Sequence, residues 1–126
     1  MELGNMDWPW LVSYFFGGVF AANAIPHFVS GAMGRSFQSP FAKPPGRGLS
    51  SATVNVAWGF FNAVVGYLLV AHVGAFHLRA TSHALAFGLG ALLISLFSAR
   101  HFGQFHGGNT PGLEHPTGDS TRTSSK

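Results

Sequence analysis

Apolar residues fall into three stretches without formal charge, 8–34, 48–78 and 80–99, interrupted by a segment holding Arg35, Lys43 and Arg47 and by Arg79. A helix rising about 1.5 Å per residue needs about 20 residues to cross a hydrocarbon core of roughly 30 Å, and each stretch is long enough. The pattern predicts an all-α, integral membrane three-helix bundle with helices at about 9–34, 51–73 and 80–99, a transmembrane domain over 1–105 and a disordered polar tail over 106–126.

Local signals mark the ends. Trp8, Trp10 and Tyr14 open the first stretch, where amphipathic rings favour the headgroup level, and Pro9 suits a first helical turn. Pro26 cannot donate to the carbonyl of Ala22, so the first helix is expected to kink there, or to end there with 27–34 as a separate turn. Residues 35–48, rich in Pro and Gly, read as a loop of turns and extended, polyproline-like backbone. Ser50 is placed to cap the second helix, with Leu49 able to pack on Val54. Gly74 and Arg79 mark a short connection that predicts helices 2 and 3 as an antiparallel hairpin.

Small and polar residues form stripes at steps of four and three. Asn55, Gly59, Asn62 and Gly66 lie within about a 60° arc of helix 2, and Ala84, Gly88, Ala91 and Ser95 repeat the spacing on helix 3. In lipid, close backbone approach and interhelical hydrogen bonds drive association, so the hairpin is expected to close through these two faces. A weaker stripe of Ser13, Gly17, Ala24, His27 and Gly31 runs down helix 1 beside Asn23.

Composition strengthens the membrane reading. Only 9% of residues are charged, 47% are hydrophobic, Phe occurs 13 times and Gly 17 times, which leaves little polar surface for a water-soluble fold. Glu2 and Asp7 stand where a basic leader would begin, so no cleaved signal peptide is expected. Basic residues concentrate in the first loop and after helix 3, which predicts the N-terminus outside and the first loop and C-terminus in the cytoplasm, in a bacterial inner membrane or its equivalent. The net charge of +3 is dispersed and forms no basic stripe, so no nucleic-acid partner is expected.

Candidate chemistry is sparse. The four acids, Glu2, Asp7, Glu114 and Asp119, lie in the terminal regions, so no carboxylate pair serves acid–base catalysis and no intramembrane carboxylate serves a proton pump. The chain has no Cys. Of its histidines, His72, His77 and His83 could converge at the outer turn and are the one candidate metal cluster, although their spacing puts no two on one helical face; no other cofactor is predicted. A helical relation between Asn23 and His27 would bring two polar groups together near the cytoplasmic surface, on the order of 20 Å from that cluster. Arg35, Lys43 and Arg47 are candidates for anionic lipid headgroups or another anion.

Three functions are compatible with this pattern. The first is a small structural or accessory subunit docking on itself, as a homo-oligomer, or on a larger membrane complex. The second is an oligomeric channel or transporter in which Asn23, His27, Asn55 and Asn62 line a polar path. The third is a metal or redox protein using the outer histidines.

Overall fold

The computed structural model describes residues 7–112. It comprises α1 (Trp8–Ala32), β1 (Phe37–Gln38), β2 (Leu49–Ser50), α2 (Ala52–Ala71) and α3 (Thr81–His106). All three helices are long and apolar enough to cross a membrane.

Helix α1 begins with Pro9 in its first turn and runs unbroken through Pro26. It stops in a Schellman arrangement: Gly34 has φ +77°, its N–H donates to Gly31 O, and the N–H of Arg35 donates to Ser30 O. These bonds satisfy carbonyls the helix would otherwise leave open. At the start of α2, Ser51 rather than Ser50 is the cap, its hydroxyl accepting from Val54 N at 3.2 Å. Ser50 lies instead in β2, and its hydroxyl meets that of Ser39.

The segment expected to be an extended loop is a short hairpin. Phe37 pairs with Ser50 and Gln38 with Leu49, antiparallel. The turn between the strands closes through Gly46 N donating to Ser39 O at 2.8 Å and Gly48 N donating to Pro44 O at 2.8 Å. Phe37, Gln38 and Ser39 are buried, so this segment folds back onto the bundle. The loop-end interior takes up an aromatic ring and two polar side chains, which a solvated polyproline-like strand would leave outside.

Helix α1 is the middle element. It packs on both α2 and α3, whereas α2 and α3 have at most marginal contact, so the expected α2–α3 seam is not formed. Glycines explain why. An added Cβ at Gly66 would press on Gly17 O and Ala21, one at Gly59 on Phe28, and one at Gly31 on Ala52 and Val56, so the small face of α2 meets α1. About 100° around α1, Gly18 lies against Phe87 and Ala91, and Gly90 of α3 lies against Phe15. Adjacent small residues thus give α1 two close-approach faces. The connection over 72–80 wraps the start of α1, with Gly74 against Trp10 and Phe76 edge-on to Tyr14 at 5.0 Å.

Helix α3 runs to His106, beyond the expected end at 99, and is closed by Gly107 at φ 80°. A single Arg100 ends the uncharged run without ending the helix, because Phe102 and His106 pack on Phe37 of the loop. Asn109 folds back to donate to Arg100 O at 2.9 Å, so 106–112 is the end of the helix and a set of turns. The remainder of the expected tail, 113–126, lies outside the described residues.

The apolar exterior is extensive. Leu85, Leu89, Leu92, Leu93, Leu96 and Phe97 of α3 are each more than half exposed, while Tyr14, Ala24 and Phe37 are the buried hydrophobic residues among those described. Small and polar groups sit inside and large apolar groups outside, the reverse of a water-soluble domain.

Candidate functional site at the loop-capped end

Helical spacing places Asn23 and His27 one turn apart on α1, and Asn55 and Asn62 two turns apart on α2. The antiparallel packing of the two helices turns this into two rungs. Asn23 Nδ2 donates to Asn62 Oδ1 at 3.0 Å, and His27 Nδ1 meets Asn55 Oδ1 at 2.9 Å. Asn55, Asn62 and His27 are 0%, 1% and 3% exposed, so each depends on partners inside the protein.

The amide orientations follow from those partners. Asn62 Nδ2 donates to Trp58 O at 2.8 Å. Asn55 Nδ2 faces three carbonyls, of Phe37, Ser50 and Ser51, each at 3.1 Å. Carbonyls only accept, so the NH2 side of Asn55 must face them and its Oδ1 must face the imidazole. Oδ1 in turn only accepts, which makes Nδ1–H the donor. Neutral His27 is therefore held as the Nδ1–H tautomer with a lone pair on Nε2. One asparagine thus links α1, α2 and both strands of the hairpin.

Aromatic rings fix the imidazole. Phe37, Phe102 and Trp58 meet it edge-on, with centroids at 5.5, 6.0 and 6.3 Å. Two further histidines tie the loop to α3. His101 Nε2 lies 2.6 Å from Gly46 O and must donate, which leaves its Nδ1 as an acceptor in the neutral ring. His106 Nε2 lies 2.9 Å from Gln38 Oε1, and its ring stacks on Phe37 at 5.1 Å.

Between these groups lies a cleft of about 320 Å³, walled by Asn23, His27, Gln38, Ser39, Trp58 and His101 with the rings of Phe97 and Phe102. No Asp, Glu, Lys or Arg side chain lines it. The indole N–H of Trp58 is buried without a hydrogen-bond partner.

The remaining expected site residues are dispersed. Gly59 and Gly66 serve helix packing against α1. Gly88 has open space around it, and Ser95 is exposed beside Ala22 and Pro26, so neither joins the polar cluster. Arg35, Lys43 and Arg47 are exposed around the loop. At the opposite end, His72 turns to the hydroxyl of Tyr67 at 3.3 Å, while His83 Nδ1 accepts from His77 N at 3.0 Å and the two rings stack. His72 thus has a different partner from the His77–His83 pair, and among the described residues no three His or acidic side chains are grouped to hold a metal ion.

Sequence reasoning singled out Asn23, His27, Asn55 and Asn62, which the fold brings together, and did not include Gln38, Ser39, Trp58, His101 and His106 beside them. For the last two a signal existed: Phe97, His101 and Phe105, and likewise Phe102 and His106, recur at helical steps of four. No protein-family model, no curated protein and no solved structure matches this chain.

Proposed function

We propose that this chain is a small multi-pass membrane protein of accessory type, whose working end is the loop-capped cleft and whose activity is to hold a small lipid-soluble ligand rather than to convert it. One observation carries the reading: a neutral cleft of about 320 Å³ with His27 in its wall, the imidazole held by Asn55 and by aromatic edges. Ligand sites typically combine such apolar walls with a few oriented polar groups, at volumes of about 300–1,000 Å³. The cleft has no carboxylate for acid–base work; the one described acid, Asp7, begins α1 at its far end.

The exterior supports insertion in a bilayer, and the asparagines support binding over conduction. Asn55 and Asn62 spend their amides on partners inside one bundle, so they leave little polarity for a path shared between copies. Exposed Arg35, Lys43 and Arg47 suit contact with anionic headgroups beside the cleft.

The test has two arms. Membranes washed in alkaline carbonate should retain the chain, and its release would contradict insertion. Protein purified in detergent should yield a stoichiometric small molecule on organic extraction and mass spectrometry. That molecule should be depleted in His101→Trp, which adds bulk to the cleft wall. Equal recovery from both proteins would contradict ligand holding at this site.

A further inference from the structure

We infer that the cleft takes a neutral aromatic hydroxyl compound of the phenol or hydroquinone class from the membrane phase, with the ligand O–H donating to His27 Nε2. The inference rests on the ligand-holding reading above and specifies its chemistry.

Three free valences on the cleft wall are acceptors, set beside the unpartnered indole N–H of Trp58. His27 gives its only proton to Asn55, so Nε2 offers a lone pair, and no described group donates to it. Asn23 uses Nδ2 on Asn62, which leaves its Oδ1 open. His101 uses Nε2–H on Gly46 O, which leaves Nδ1 as an acceptor. A ligand matched to this wall must bring a hydrogen-bond donor. Ketones, ethers and quinones bring acceptors only, which suit the Trp58 N–H and leave the three lone pairs unanswered, whereas a hydroxyl both donates and accepts.

Charge and shape narrow the class. The lining holds no carboxylate to compensate a cation, and a desolvated cation without a counter-charge is costly, so the donor belongs to a neutral hydroxyl. Trp58, Phe97 and Phe102 supply flat apolar walls suited to a ring. Phe97 also stands 62% exposed on the apolar exterior of α3, which connects the cleft to the surface that would meet lipid. Water alone is a poor occupant: the cleft has room for several molecules at about 30 Å³ each, against walls that are mostly apolar.

The experiment compares 4-heptylphenol with 4-heptylanisole, which differ only in the donor proton, together with heptylammonium, by calorimetric titration of the full chain in lipid nanodiscs against empty nanodiscs. The phenol should bind saturably and about tenfold tighter than the anisole. In His27→Phe that preference should vanish while anisole binding remains, which also shows that the variant is folded. The wild-type comparison decides the inference even where the variant fails to fold. Equal binding of phenol and anisole would overturn the donor assignment and leave the ligand-holding reading standing. Binding of neither would overturn both. Tightest binding of heptylammonium would replace the neutral hydroxyl with a cation and overturn the inference.

Discussion

The imidazole of His27 and the carboxamide of Asn55 meet at 2.9 Å in the interior of the bundle, and the same carboxamide reaches carbonyls of both hairpin strands. A single side chain thereby sets the His27 tautomer, closes α1 onto α2 and pins the loop above them. Placing this junction where bulk water does not reach raises the cost of breaking it, because each partner would be left unsatisfied.

Asn55→Leu should therefore destabilise the protein by about 2–3 kcal/mol, since it removes the partner of His27 and of Phe37 O together. Unfolding in mixed micelles measures it. Proteolysis within 35–50 should accelerate in the same variant. Val64→Leu, on an exposed face of α2, is the control and should stay within about 0.5 kcal/mol of the parent.

Two glycines of α3 should respond in opposite ways. Gly90→Ala puts a methyl group into the carbonyl of Phe15 on α1, and overpacking of this kind costs about 1–3 kcal/mol. Gly88→Ala meets open space and should be neutral or stabilising by up to about 1 kcal/mol through helix propensity. Equal responses in thermal unfolding would mean that α3 is rotated from the position described.

Absence of native cysteine makes helix neighbours directly testable. A Cβ at Gly17 would lie 3.6 Å from that of Leu69, close to the separation of about 3.8 Å that a disulfide needs. Gly17→Cys with Leu69→Cys should cross-link on mild oxidation. Gly66→Cys with Gly88→Cys, the pair an α2–α3 seam would join, should not.

The three long apolar helices were legible because each is built on a stretch without formal charge: Asp7 and Arg35 bracket α1 to within three residues of its ends, whereas Arg47 and Arg79 bracket α2 more loosely, five residues before it and eight after it. The small face of α2 was legible as well, since Asn55, Gly59, Asn62 and Gly66 are its buried residues. Its partner was not. A short connection favours neighbours in sequence, but Gly17 and Gly18 let α1 receive a helix on each side, and periodicity on one helix does not say which other helix answers it. The end of α3 was misplaced because Arg100 ends an apolar run, whereas backbone hydrogen bonding continues wherever Phe102 and His106 find a surface to cover. That surface is Phe37, whose burial depends on the hairpin closing, and long-range closure of this kind leaves no periodic trace.

Topology should follow the basic residues. Gly46 accepts from His101 at the end of α3, so the loop carrying Arg35, Lys43 and Arg47 and the flank carrying Arg100 share one end of the bundle. Reporters inserted after Lys43 and after Gly112 should face the cytoplasm, and one after Arg79 should face the other side. Reporters after Lys43 and Arg79 on the same face would contradict three crossings.

Nitrogen NMR of the protein labelled with 15N-histidine, in lipid nanodiscs at neutral pH, bears most directly on the arrangement from which the cleft's chemistry derives. With His27 assigned by its loss in His27→Gln, the account predicts a neutral ring protonated at Nδ1, hydrogen-bonded to Asn55 and bare at Nε2. A ring protonated at Nε2, or at both nitrogens, would contradict it.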